Sequence, residues 1–396
     1  MKRKKVYIHL DSGRGYSREL LKGIYEYNNA ITHWSIIFQS AYYLRPEDFS
    51  RVNLDMIRAY KPDGCILAYC NQTDELLRLG IPIIQTTSMN QVDAIPYIKG
   101  DYDADGKLAV EYFMGIGFKN IGFFGLNKLS WSKGRCDSLR EHAARHRLNL
   151  YVYDQETHME SINYSENFTQ LAKWLISLPK PIGILACNDD FGQILINACR
   201  FADIRVPYEV AVLGVDNDEL ICNITFPNMS SISRNLIATA ANMCQLLSDM
   251  MEGKPARDRA ILTVPSEVVV RQSTDTIASG DPEIVKAISF IRQNAHLPLT
   301  VEQVVAATAL SKRSLYTRFR DTTGHSIYHE IQYTRLQRFK KLLKDSNLPV
   351  STIAYQMGFD DVTHVSRWFR SLTGVSPSQW KKDNTVQRVI PIFAKN

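Results

Sequence analysis

A chain of 396 residues, 45% hydrophobic and 22% charged, has the composition of a globular protein too long for one core, so two or three domains are expected. No apolar run approaches the roughly 20 residues that span a bilayer, so no membrane partner is expected. The stretch behind Lys2-Arg3-Lys4-Lys5 is five residues long and contains His9, which argues against a secretory signal and for the cytoplasm.

Seven scattered cysteines, an odd number with no C-x-x-C pair, argue against a disulfide framework and a zinc site. Most lie in apolar runs such as 65–68 and read as small buried hydrophobes. The net charge of +6 is unevenly divided. Residues 281–396 hold 17 Lys/Arg against 9 Asp/Glu, a local +8, which leaves −2 on the first 280. Only the C-terminal part has the electrostatics of a polyanion binder.

In chain order, β-branched runs at 6–10, 35–39, 64–68, 81–85, 121–124, 182–187 and 211–215 predict strands. Between them, 18–28, 105–115, 138–146, 168–178 and 191–202 have helical periodicity. This alternation predicts parallel sheets wound by helices. Seven or more strands over about 270 residues point to two α/β lobes with a cleft between them.

Ligands of open α/β sheets gather at the carboxyl ends of strands. There the chain places Asn188 and Asp189, at the head of a helix, and Asp216, after a strand. Carboxylates in such a place accept hydrogen bonds from neighbouring hydroxyls of a polyol. Arg140 would donate to a ring or carbonyl oxygen, and Tyr16 would stack on a sugar face. Taken singly, Asp189 and Asp216 suit helix N-caps equally well.

Residues 271–282 are small and polar and read as linker sequence, with 276–283 taken as the linker proper. Beyond it the periodicity is helical until the last dozen residues. Thr300 and Gln303 form a capping box ahead of Val301, Val304 and Val305. Ser311 is placed to cap a helix that buries Leu315 and Phe319, shows Lys312, Arg313, Tyr316, Thr317 and Arg320, and ends at Gly324. A short helix, a turn and a basic helix make a DNA-reading helix-turn-helix.

The pattern recurs about 50 residues later. Ser351 is the expected cap, Ile353, Ala354 and Met357 face inward, and Gly358-Phe359 makes the turn. Asp360 or Asp361 caps a second helix, with Val365 and Phe369 inside and Val362, Thr363, Ser366, Arg367 and Arg370 on its other faces. Residues 326–344 read as one connecting helix roughly 28 Å long. Two recognition helices at that scale suit successive major-groove turns, about 34 Å apart.

The tract Ala354-Tyr355-Gln356-Met357-Gly358-Phe359, with Phe369-Arg370 and Gly374-Val375-Ser376-Pro377, resembles the signature of AraC-type transcription regulators over residues 284–382. Leu310-Ser311, Leu315 to Phe319 and Gly324 match the first unit of that family. The resemblance implies that Arg313, Tyr316 and Thr317 face bases from the first unit, and Val362, Thr363, Ser366 and Arg367 from the second. Val362 and Thr363 depart from the polar residues frequent there, which favours a thymine methyl or phosphate contacts.

Upstream, Asn188-Asp189, Val206-Pro207, Gly214-Val215-Asp216-Asn217, Gly100-Asp101 and Arg271-x-Ser273-Thr274 resemble the effector domain of LacI/GalR-type repressors and periplasmic sugar-binding proteins over residues 5–275. This implies a pocket with Arg140, Asn188, Asp189 and Asp216. Such a domain joined to an AraC-type tail is the arrangement of xylose-operon regulators, onto which Tyr16 and Arg18 can also be laid.

The expected architecture is therefore an α/β two-lobed periplasmic-binding-protein-like domain followed by an all-α domain with two helix-turn-helix units. Its parts are a sugar-binding effector domain (1–275), a linker (276–283), a DNA-binding domain (284–384) and a tail (385–396). The expected partners are an operator duplex, a small sugar such as a pentose, a second copy of the chain and, for an activator, RNA polymerase. The alternatives are a different small effector, or a sugar-binding protein not acting on DNA. G-x-S-x-G, P-loop and H-E-x-x-H motifs are absent from the sequence, so no catalytic residue, metal or cofactor is expected.

Overall fold

The computed structural model describes residues 3–40, 53–68, 72–86, 95–126, 129–154, 164–256, 260–276, 281–346 and 348–386. It divides into two compact units, 1–278 and 279–396. The tail residues 387–396 lie outside the described residues.

The first unit carries strands β1 (Lys5–Leu10), β2 (Ser35–Ser40), β3 (Gly64–Leu67), β4 (Ile83–Gln85), β5 (Tyr97–Gly100), β6 (Asn120–Gly125), β7 (Asn149–Asp154), β8 (Ile182–Ala186), β9 (Val210–Val215), β10 (Ser230–Arg234), β11 (Ala260–Thr263) and β12 (Pro265–Val269). Its helices are α1 (Gly15–Tyr27), α2 (Leu54–Tyr60), α3 (Thr73–Arg78), α4 (Tyr102–Gly115), α5 (Ser130–Arg145), α6 (Tyr164–Ser177), α7 (Asp189–Phe201), α8 (Glu219–Ile224) and α9 (Leu236–Met251). Among the described residues the strands form two sheets, ordered β11-β5-β4-β3-β1-β2 and β12-β10-β9-β8-β6-β7. Every recorded pairing is parallel except that of β10 with β12.

β8 and β9 are buried along their whole length, as strands covered on both faces must be, so they read as unbroken apolar runs. In one lobe, Val6, Ile8 and Leu10 pack against Leu20, Ile24, Met243 and Leu247. In the other, Phe123, Leu185 and Leu213 pack against Val110, Phe113 and Leu139, and Ile184 and Val212 against Leu175 and Leu195. Burial pushes the thiols of Cys65, Cys187, Cys199 and Cys244 up to about 12, so they behave as apolar side chains. Cys70 lies outside the described residues.

Among the described residues the chain passes between the lobes three times, at Asp101, Asn235 and Val264. At two of these points a side chain caps the helix that follows: Asp101 accepts from the Ala104 N–H, and Asn235 from the Ala238 N–H. The Asp101 N–H donates to the Thr263 carbonyl, so two of the crossings are bonded to each other.

The polar tract at 271–276 is not linker, contrary to the reading of the sequence. Gln272–Thr274 form a 3-10 turn in which Ser273 and Thr274 are buried. The Ser273 hydroxyl donates to the Val212 carbonyl at 2.5 Å and accepts from the Ser230 N–H at 2.8 Å. The Thr274 hydroxyl donates to the Ser230 hydroxyl at 2.7 Å and lies 2.6 Å from the Tyr112 hydroxyl. Small polar residues plug the end of the sheet here, and composition does not distinguish a satisfied buried hydroxyl from a solvated one.

The second unit comprises α10 (Pro282–Gln293), α11 (Val301–Ala306), α12 (Lys312–Thr323), α13 (Ile327–Asp345), α14 (Val350–Gln356), α15 (Val362–Thr373) and α16 (Pro377–Val386). The capping box at Thr300 and Gln303 forms, Ser311 caps α12, and Gly324 ends it with φ of 76°. Asp361, not Asp360, caps α15. Ser351 does not cap: Pro349 takes the N-cap position and α14 starts at Val350, so Ser351 already lies inside the first turn. The segment taken as linker ends earlier than its composition implied, because Asp281 caps α10 and Pro282 occupies its first turn. Phe339, Ile353, Met357, Val365 and Phe369 form the core of the second helix-turn-helix.

Gly358 turns the chain between α14 and α15 at φ of 71°, and a Cβ there would lie 2.5 Å from Cδ of Pro298. Gly358→Ala is expected to destabilise this unit by about 1–3 kcal/mol through backbone strain and overpacking. Urea denaturation followed by tryptophan fluorescence checks this, and an unchanged midpoint would show that the turn can move off Pro298.

Candidate effector cleft and nucleic-acid interface

The first site is built from α4, α5 and the ends of β9 and β10. Arg135 of α5 donates from Nε to Asp105 at 3.0 Å, from Nη1 to the Cys187 carbonyl and from Nη2 to Asp216 at 3.4 Å. Arg234 donates to the third lobe crossing through the Thr263 carbonyl at 2.9 Å, bonds Asp105, and lies 3.3 Å from Asp216. Two guanidinium groups and two carboxylates thus alternate in a neutral ring. Asp105 and Arg234 are fully buried, and Asp216 keeps 15% of its side chain exposed. Burial by itself would lower the Arg135 pKa, but Asp216 and Asp105 outweigh it and raise the value.

Aromatic rings wall this cluster. The Arg135 guanidinium lies 5.3 Å from the centre of the Trp131 ring and 6.0 Å from that of Tyr102. From the opposite lobe, burial and the Asp216 charge push the Tyr16 phenol well up, and its hydroxyl lies 3.4 Å from the Thr86 carbonyl. Arg18 bridges the lobes, donating to Asp218 at 2.6 Å, and Gly15 packs so closely on Asp218 that a Cβ would lie 2.4 Å from it. Gly15 is thus the close approach that closes this side of the cleft.

Asp216 and Asn217 have φ of 97° and 52°, a costly backbone for residues with a Cβ. Four contacts hold them there. The Asp216 N–H donates to the Ile232 carbonyl at 2.9 Å, and the Asn217 N–H to the Ser231 hydroxyl at 3.0 Å. Arg271 donates to the Asn217 side chain at 2.8 Å, and the Asp218 N–H to Asp189 at 2.6 Å. Asp189 also accepts from the Ser231 hydroxyl at 2.6 Å, and burial followed by the Asp216 charge raises its pKa well above the usual carboxylate range. Both its oxygens serve the turn, so Asp189 shapes the site from below.

Of the residues picked from sequence, the structure brings together Tyr16, Arg18, Asp189 and Asp216. Asn188 caps α7, accepting from the Phe191 N–H at 3.0 Å. Arg140 does not join them. Its side chain is 55% exposed and pairs with Asp137 at 2.8 Å. Five residues along a helix turn the side chain by about 140°, so Arg135 faces inward where Arg140 cannot. The expected helical periodicity begins at 138, eight residues after the helix starts at Ser130, so Arg135 falls outside the expected element. Asp105, Arg234 and Arg271 were missed because only the fold pairs them.

The second site is the exposed side of α12 and α15. Arg313, Tyr316, Thr317 and Arg320 are exposed on α12, while Lys312 is exposed but paired with Glu302 at 2.8 Å. On α15, Thr363, Arg367 and Arg370 are exposed and Ser366 is half-buried. Val362 does not face outward: it packs against the core of its own unit, as an apolar residue in the first turn does when a buried Val365 follows it. His364 is exposed beside Thr363, with its ring edge-on to Phe359 at 6.0 Å, and sequence reasoning passed over it.

A family model described as a periplasmic binding protein-like domain matches residues 110–274, and one described as a helix-turn-helix domain matches residues 304–383. The chain is 26% identical over 395 residues to the xylose operon regulatory protein of Escherichia coli K12, covering 97% of this chain and 98% of that protein. It is 26% identical over 386 residues to the xylose operon regulatory protein of Haemophilus influenzae, covering 95% and 98%. A solved structure of a xylose-binding transcription activator shares the fold at a TM-score of 0.76 and 24% identity, covering 97% of this chain and 99% of that one.

Asp189→Ala would leave the Asp218 N–H and the Ser231 hydroxyl unpaired inside the protein, at about 1–3 kcal/mol each. The variant is expected to lose stability in urea without any ligand present. Full stability combined with lost ligand binding would instead make Asp189 a ligand contact.

Proposed function

We propose that this chain, a periplasmic-binding-protein-like domain joined to an AraC-type helix-turn-helix domain, is a cytoplasmic, sugar-responsive DNA-binding transcription regulator that works as a homodimer. The observation that carries the reading is the presence in one chain of a closed, charge-balanced cleft and two exposed recognition helices in its only basic part. D-xylose is the first candidate effector, from the likeness to xylose operon regulatory proteins over nearly the whole chain.

The chemistry of the cleft narrows the effector class. Arg135 and Arg234 are already neutralised by Asp105 and Asp216, so no excess positive charge awaits an anion. The partly exposed edge of Asp216 accepts hydroxyl hydrogens, and Trp131, Tyr102 and Tyr16 offer ring faces to the carbon face of a pyranose. This favours a neutral polyol over a sugar acid or sugar phosphate. Closing of the lobes on the sugar would change the geometry delivered to the DNA-binding units. Linkage then requires operator and sugar to alter each other's affinity by the same factor. For an activator, RNA polymerase is the further partner.

Titration calorimetry over pentoses, hexoses, aldonic acids and sugar phosphates tests this, with binding of a neutral pentose expected below millimolar. Asp216→Asn should weaken that binding about tenfold or more through the lost charge-assisted bond, while Arg140→Ala leaves it unchanged. A panel in which only acids or phosphates bind would overturn the polyol reading.

On the DNA side, Arg313→Ala is expected to cost about 1–3 kcal/mol at the specific site, as loss of a bidentate guanine contact does. Selection of bound genomic fragments followed by mobility shift provides the measurement. Equal affinity for every fragment would sink sequence-specific recognition.

A further inference from the structure

The start of α10 is fastened to the first recognition helix. Asp281 is the N-cap of α10, and one of its oxygens accepts from the Glu283 N–H at 3.1 Å. The other accepts from both Nε and Nη2 of Arg318 on α12, at 2.7 and 2.6 Å. Glu283, one residue after Pro282, accepts from the Ala309 N–H in the turn between α11 and α12, and from Lys286 at 2.6 Å. The division between the two units falls at 278/279, so the linker ends on a residue that grips the DNA-reading helix.

Arg318 stands at the shoulder of that helix. Leu315 and Phe319 point into the core, and Arg313 and Thr317 point directly away from it. At 100° per residue, Arg318 lies about 100° round from Thr317. A long basic side chain on the shoulder of a helix in the major groove faces the phosphates that line the groove wall. Its side chain is 43% exposed, yet the guanidinium edge a phosphate would use is occupied by a carboxylate.

We propose that Arg318 is a DNA-backbone contact masked by Asp281, so that displacement of the linker end switches one phosphate contact of the first helix-turn-helix on or off. Asp281 and Glu283 both bond within the first helix-turn-helix, so control falls on that one. The device rests on the reading that residues 281–386 bind DNA.

The test uses the full chain and a random-sequence 30-base-pair duplex, with affinity measured by fluorescence anisotropy across a salt series. Asp281→Asn keeps the helix cap, because asparagine caps as well as aspartate does, but it frees the guanidinium. The slope of log K against log salt should steepen by about 0.9, which amounts to about 3.5-fold more affinity gained between 200 and 50 mM salt than in the parent. Arg318→Gln should leave the parent slope unchanged but return the Asp281→Asn slope to it. An unaltered slope in Asp281→Asn, or a steeper slope that persists in Asp281→Asn/Arg318→Gln, would overturn the proposal; the second result would indicate long-range charge alone. A shallower slope in Arg318→Gln by itself would show that the contact is already made. A parent chain with no salt-dependent binding would instead refute DNA binding, and the device with it. Matching circular dichroism melts confirm that the variants remain folded.

Discussion

The ring of Asp105, Arg135, Asp216 and Arg234 is the constraint on which the first unit turns. Each charge lies against two of opposite sign, and all but the edge of Asp216 are shut off from water, so removing one would strand a buried charge. Such a ring adds less stability than it adds geometry: two ring members on helices and two at strand ends can satisfy each other in only one arrangement. Through Arg234 the ring also touches the Thr263 carbonyl beside the third lobe crossing. The site and the hinge therefore share atoms.

Around that ring, polar side chains take over work usually left to backbone. Asp189, Ser231 and Arg271 impose a left-handed turn on Asp216 and Asn217, and Ser273 and Thr274 tie the end of the domain to the sheet. The strain of two positive φ angles persists because several independent bonds specify it. The Asp216 carboxylate is thereby held in one position.

The C-terminal unit follows a different logic. Its stability comes from local signals that agree with one another: a capping box at Thr300, caps at Ser311, Ser326 and Asp361, and left-handed glycines at 324 and 374. Each recognition helix is short, so its position is set by what grips its ends and its buried side. Asp281 and Glu283 show that α10 belongs structurally to the first helix-turn-helix, although its sequence precedes the expected helix-turn-helix pattern.

By itself the sequence determined the features that act over a few residues. Strand runs such as 182–187, the caps of α11 and α12, the turn at Gly358 and the basic tail were all legible there, because burial period, capping chemistry and charge are written locally. Serine-rich β10 and the hydroxyls at 273 and 274 were not, since a buried and bonded serine looks the same as an exposed one. Only the tertiary structure decided that Arg135 and not Arg140 enters the cleft, and that Asp105 meets Arg234 across 129 positions of chain. A buried charge is tolerated through its partner, and no short stretch of sequence contains both halves of such a pair.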